Sequence, residues 1–441
     1  MGRAPRASRM PRAGLALLAL LALGATSACE KRAEATGSGV RYEGPFADEV
    51  RRVLPRLEQS TGLAFRTAPK LETRTKAQVS AFLQTQFENA RSVRDLASME
   101  AAYKRFGLIP DTLQLRELFL RLLREQVAGY YDPKTKTLYV VDGATTDARN
   151  ITITHELVHA LQDQYLDLDS LQQITGDNDR QVAVQAALEG QATYEQITAM
   201  TGDGNFAARM PGGWDRVREL VRDGFIAYPE LAAAPMIVQE TLLFPYLSGA
   251  EYVKRYKDRK VGTPFLQSLP ASTEQVMSER ASIDAPDLPT RVRLPAPRGA
   301  QALYDNGLGA FETRLLLFQH LGAARQADAV RGAAGWDGDR YVLLQTPRGE
   351  GIAWLSVWDS AVDAGEFADL LGDTVRRRWG STPTGDGGVR RARAGGRSVA
   401  ITQAEVGGRP AVLFVDVPDG ASTDVIDLAR VTLADGSPAS P

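Results

Sequence analysis

Two histidines and a glutamate are the residues here whose types and spacing could do chemistry. They stand in ITHELVHALQ, residues 153–162, where His155 and His159 are four apart and Glu156 directly follows the first, in a chain of 441 residues with three histidines. Three histidines scattered at random would produce a four-residue spacing about one time in seventy. On an α-helix, positions i and i+4 lie about 40° apart around the axis and about 6 Å apart along it, so both imidazoles leave one face and can converge on one ion. Glu156 sits beside that face, placed to hold a water rather than to ligate. Leu157, Val158 and Leu161 supply an apolar side that would bury the helix and make its ligands rigid.

A catalytic zinc takes three protein ligands and keeps a fourth position open, so one ligand must come from elsewhere. A metzincin-like site would need Gly at 162 and His at 165, and these are Gln162 and Tyr165, which excludes that class. His320, in the apolar helical run RLLLFQHLGAA, reads as an ordinary histidine of an amphipathic helix. In VQAALEGQATYEQI, Glu189 stands among Ala186, Ala187, Gly190 and Ala192, small residues that allow a second helix to press close. A lone charge in that setting needs a partner such as a metal. Glu189 is therefore the leading third ligand, ahead of Glu195, Asp177 and Asp179.

The elements that must position these residues can be read around them. Asn150 or Thr152 can cap a helix running to about residue 165, and after a polar turn at 175–178 a second helix is predicted over 180–200. Upstream, β-prone runs at 127–131 and 137–141 flank the turn-forming Asp132-Pro133-Lys134-Thr135 and predict a hairpin leading straight into the histidines. Three- and four-residue apolar spacing predicts helices across most of 46–127, with a short strand near 63–70. Further helices are predicted near 214–226, 231–248 and 308–322, around a Pro-rich loop at 263–300. From about residue 335 the pattern becomes strand, strand, helix, strand, strand, helix, closing on a helix over STDVIDLARVTL. There the Arg-rich residues 389–393 read as a solvated hairpin loop, and Gly-rich 385–396 lacks the Gly-Lys-Ser/Thr of a phosphate loop. The expectation is an α+β protein of two parts: a mainly helical domain over 45–330 with a short β-hairpin, and a smaller α+β domain over 335–435.

The first 29 residues are a different material. Arg3, Arg6, Arg9 and Arg12 precede the apolar run 13–25 and then TSAC, a pattern of export. That run of 13 residues is shorter than the roughly 17–25 that span a bilayer as a helix. Cys29 is the single cysteine and stands where bacterial lipoprotein signals place the lipidated residue; TSAC resembles that lipobox, with Thr26 where Leu is usual. The reading is a lipoprotein-type signal peptide over 1–28, lipidation at Cys29, a flexible tether over 29–44, and a membrane-anchored protein of the cell envelope, with plain secretion as the alternative. A single cysteine allows no internal disulfide. Removing residues 1–28 takes away four arginines and no carboxylate, so the formal charge of −2 becomes −6, which gives no reason to expect a nucleic-acid partner.

The motif His155-Glu156-x-x-His159, followed by a Glu within ALEGQAT on a later helix, resembles the gluzincin clan of zinc metallopeptidases over residues 125–200. The wording VAGYYDPKTKTLYVV, HELVHALQDQ and later GWDGDRY further resembles uncharacterised bacterial lipoproteins predicted to be such peptidases. The resemblance implies a zincin-like catalytic domain. It implies one Zn²⁺ held by His155, His159 and Glu189, with Glu156 as general base and acid toward a zinc-bound water. It further implies a peptide or protein substrate laid along the strand at 137–141 as an edge strand. Many gluzincins place an Asp four residues after the ligand Glu to buttress a histidine; that position is Thr193, leaving Asp163 or a backbone carbonyl to do so. Tyr246 and Tyr252 are the candidate oxyanion donors. The alternative is a non-catalytic zinc-binding or structural envelope lipoprotein.

Overall fold

Apolar residues three and four apart build the helices of the first 290 residues, as in α1, Ala47–Thr61, whose buried side chains Val50, Leu54, Leu57 and Thr61 form one stripe. The computed structural model describes residues 39–88, 90–126, 128–171, 173–201, 211–260, 262–267, 269–277 and 283–436. The expected signal peptide and Cys29 lie outside them, as does the expected tether up to residue 38. Packing begins within the last residues of that tether: Tyr42 is buried and its hydroxyl donates to the Pro45 carbonyl at 2.9 Å.

After α1 come β1 (Lys70–Arg74), α2 (Lys76–Glu88), α3 (Ala90–Phe106), α4 (Leu115–Gln126), β2 (Gly129–Asp132) and β3 (Thr137–Val141). The next elements are α5 (Thr146–Asp163), α6 (Leu168–Leu171), α7 (Asn178–Thr201), α8 (Gly213–Ile226), α9 (Pro229–Ala232), α10 (Met236–Arg259) and α11 (Thr273–Met277). The strand expected at 63–70 starts only at Lys70, because Leu63 and Phe65 bury themselves in the helical core as loop residues.

The hairpin is present, but β3 is not an edge. It pairs in parallel with β1 on one side and antiparallel with β2 on the other. The reason is in its side chains: Leu138 and Val140 enter the helical core while Tyr139 packs with Tyr130, Val79 and Phe82 on the opposite face. A strand buried on both faces belongs inside a sheet. The edges of this sheet are β1 and β2, and β2 is the one whose Tyr131 amide faces Glu156.

The C-terminal part is organised on a six-stranded antiparallel sheet. Its strands are β5 (Gln301–Asn306), β6 (Trp336–Thr346), β7 (Gly349–Trp358), β8 (Val389–Ala394), β9 (Arg397–Val406) and β10 (Arg409–Pro418), in the order β5-β6-β7-β10-β9-β8. The helices α12 (Gly309–Leu321), α13 (Gln326–Gly332) and α14 (Ala361–Trp379) belong with it. The side chain of Ser360 caps α14 by accepting from Asp363 N, and Gly380 at φ 71 ends it. One sheet face joins the helical core, where the Phe106 ring stands edge-on to Tyr341 and Trp354 at 5.5 and 5.4 Å.

Three expectations are corrected here. The sheet begins at residue 301 rather than near 335, because β5 zips onto β6. The arginines of 389–393 lie in strand β8, paired with β9, and not in a loop. The expected last helix is absent: residues 424–427 run without helix, and Val425 and Ile426 pack on the second sheet face. The chain then makes a short 3₁₀ turn, Leu428–Arg430, and strand β11 (Thr432–Ala434) against β4 (Arg291–Arg293). The α+β class holds. Among the described residues no helix is long and apolar enough to cross a membrane.

Candidate metal centre

Strand β3 delivers the chain to Thr145, whose hydroxyl accepts from Ala148 N at 3.3 Å and starts α5 a full turn before the expected caps Asn150 and Thr152. From Ile151 to Asp163 every residue of α5 is buried. Leu157, Val158 and Leu161 are at most 1% exposed, and burial of each contributes about 1.5–3 kcal/mol, so the core places this helix without help from an ion. The catalytic-type side chains ride on it: His155, Glu156 and His159 are 1%, 0% and 6% exposed.

Helix α7 brings the third candidate ligand. Glu189, 6% exposed, sets its Oε2 at 3.1 Å from His155 Nε2 and 3.5 Å from His159 Nε2. The three ligating atoms lie within 4.8 Å of one another. The imidazole rings are 5.0 Å apart at 74°, so their Nε2 atoms aim at one point from two directions. The small residues around Glu189 do admit a helix, but it is α10 and not α5. A Cβ on Gly190 would lie 2.2 Å from Gly249 C, and one on Gly249 2.1 Å from the Ala186 carbonyl oxygen. That contact carries Tyr246 to 6.3 Å from the His155 ring, whereas Tyr252 packs on Phe265 elsewhere.

The charges are strongly perturbed. Burial pushes Glu189 up, but His159 and His155 outweigh it and hold the carboxyl at about 2. Burial pushes His159 down, and Glu189 and Glu156 outweigh it and raise the imidazole to about 9. Glu156 goes the other way: burial raises it more than the two histidines lower it. The Tyr131 amide of β2 faces Glu156, yet neither carboxylate oxygen has a hydrogen-bond partner of ordinary geometry. His159 Nε2 is likewise buried without one. Orphaned buried polar atoms are costly, and all three belong to side chains of one short stretch of α5. Two imidazole nitrogens and one carboxylate oxygen, with a further carboxylate alongside, are the donor set that a catalytic zinc takes. The residues fit the ion.

Two glutamines buttress the histidines, and neither was foreseen in that role. Gln196 Oε1 is 3.0 Å from His155 Nδ1, and Gln162 Oε1 is 2.8 Å from His159 Nδ1. Helical spacing could have suggested both: Gln196 is seven after Glu189 and Gln162 three after His159, each on its ligand's face. Asp163 is used otherwise, accepting from Tyr131 Oη and Lys136 Nζ, both at 2.7 Å, which ties β2 to the end of α5.

The rejected ligands are occupied elsewhere. Glu195 pairs with Lys257, Asp179 accepts from Thr273, and Asp177 accepts from Arg180 N. His320 Nε2 lies 2.9 Å from the Phe106 carbonyl, and burial and Arg378 lower it to about 4.

A family model matches residues 300–427: the domain of unknown function DUF8575. It covers the sheet from β5 to β10 and none of the four residues of the centre. No curated protein and no solved structure matches the chain. A cleft of about 800 Å³ opens beside the sheet, between Arg180, Arg291, Arg293, Asp305, Trp336 and Arg340. Its rim meets α7 at Asp179, ten residues or about 15 Å from Glu189, so volume and chemistry are in different places.

Proposed function

We propose that the protein is a zinc-dependent peptidase in which His155, His159 and Glu189 hold the ion and Glu156 moves the proton. The observation that carries this reading is the buried, unpartnered carboxylate of Glu156 directly beside a three-ligand cluster. A purely structural zinc site closes on four protein ligands. Among the described residues only three converge, and the next carboxylate stands back from them.

Bound zinc supplies a Lewis acid that polarises a carbonyl and makes water acidic near neutral pH. Glu156, raised by burial, is suited to accept a proton from water and return it to the leaving amine. Edge strand β2, whose Tyr131 amide points at Glu156, has backbone groups that can pair with an extended peptide. Tyr246 is the better placed of the two tyrosines to meet a developing oxyanion. Export through residues 1–28 and anchoring through Cys29 would put this activity at the cell envelope.

One observation favours a second reading, a non-catalytic zinc centre: all four residues are at most 6% exposed, so a substrate needs an opening beside β2. Elemental analysis and a fluorescent-casein assay separate the two. The peptidase reading expects one zinc per chain, lost in His159→Ala and kept in Glu156→Gln, with cleavage lost in both variants. Zinc without any cleavage by the parent protein selects the non-catalytic centre, and a metal-free parent overturns both.

A further inference from the structure

The orientation of Gln162 can be settled by chemistry. Its Nε2 is 3.0 Å from the Leu188 carbonyl oxygen and 3.0 Å from Gln191 Oε1, and its Oε1 is 2.8 Å from His159 Nδ1. A side-chain amide can be turned over, and Gln191 could turn with it, but a backbone carbonyl only accepts. The group facing Leu188 must therefore be the NH₂, which leaves an acceptor facing His159. Nδ1 of His159 must then carry a proton, which leaves Nε2 as the nitrogen whose lone pair can face an ion. Gln162 and Gln191 are 1% exposed, so water does not compete for these bonds.

The same amide does a second thing. Leu188 directly precedes Glu189, so Gln162 ties the helix that carries the histidines to the backbone that carries the acidic ligand. We propose, building on the metal-centre reading above, that Gln162 is a positioning residue: it holds His159 in the Nδ1–H form and sets its separation from Glu189. Being neutral, it orients the histidine without adding negative charge, so the ligand set cancels only one of a divalent ion's two charges.

The test is metal affinity. Zinc binding by the parent protein and by Gln162→Leu is measured in competition with a chromophoric chelator, and the visible spectrum of each is recorded with cobalt in place of zinc. The expected result is about 10–100-fold weaker zinc binding in Gln162→Leu, with an altered cobalt spectrum and an unchanged metal-free circular dichroism. Equal affinity and an identical cobalt spectrum overturn the proposal while leaving the metal centre standing. A parent protein that binds no metal overturns the centre itself. Should Gln162→Leu fail to fold, ¹⁵N-histidine spectra of the zinc-loaded parent decide. A slowly exchanging Nδ1 proton on His159 supports the lock, and metal bound through Nδ1 overturns it.

Discussion

At Glu156 a carboxylate is held where water cannot solvate it, with the Tyr131 amide facing it and no hydrogen bond of ordinary geometry. Its folded pKa is raised by burial, so the native state clings to the proton that the unfolded chain gives up as the pH rises. The stability tied to this group is thus present at low pH and lost on going to pH 8. Glu156→Gln should make the metal-free protein more stable at pH 8 by about 1–2 kcal/mol. Denaturant unfolding with a chelator present checks this, and a less stable variant would count against a stored functional strain. The motif was legible here because two histidines four apart and an adjacent Glu are informative on a helix of any fold. Gln162 entered the sequence reading only as a residue that excluded another ligand pattern; its place three after His159 could have suggested the contact with the histidine, but its orientation depends on a carbonyl 26 positions away.

Between elements, the contact that places Glu189 is made by two glycines. Gly190 and Gly249 let α7 and α10 touch backbone to backbone, and a methyl at 249 would drive into the Ala186 carbonyl. Gly249→Ala should cost about 2–4 kcal/mol and weaken zinc binding together, because α7 and α10 must separate to relieve the clash and α7 carries Glu189. As a control, Gly365→Ala in α14 meets nothing closer than 3.7 Å and should be neutral or slightly stabilising. Thermal melts and zinc titrations of the pair check both, and a Gly249→Ala protein with parental zinc affinity would separate the glycine contact from the centre. Small residues around Glu189 announced a close helix in the sequence, but not which one. Strand order was hidden for the same reason: β-propensity marks a strand, and only the partners of its two edges decide that β2 rather than β3 is left open.

Across the whole molecule, Glu312 joins the parts. Its Oε1 accepts from Tyr103 Oη at 2.7 Å and from Asn178 Nδ2 at 3.0 Å, linking α12 of the sheet unit to α3 and to the start of α7. Burial pushes it up to about 7 against the pull of those two bonds, from an ordinary 4.5. The native state therefore keeps a proton between pH 4.5 and 7 that the unfolded chain releases, and stability falls across that window by about 3 kcal/mol. Glu312→Gln should remove that share of the pH dependence. Unfolding free energies of parent and variant at pH 4.5 and 7.5 check it, and parallel curves would refute it.

By itself the sequence determined the α+β class and the helix bearing His155, Glu156 and His159, and it pointed to Glu189 and to helices near 180–200, 214–226 and 308–322, whereas the one expected at 231–248 is Pro229–Ala232 followed by Met236–Arg259. These follow from local spacing and from the intolerance of a lone buried charge. Tertiary structure alone decided how the two glutamines are turned toward the histidines, which edge strand lies beside the site, the sheet's start at β5 and the loss of the last helix. Each depends on a surface supplied by a distant segment. Val425 and Ile426 extend over a sheet face that local propensity cannot see, and Gln162 turns toward a carbonyl that folding brings to it.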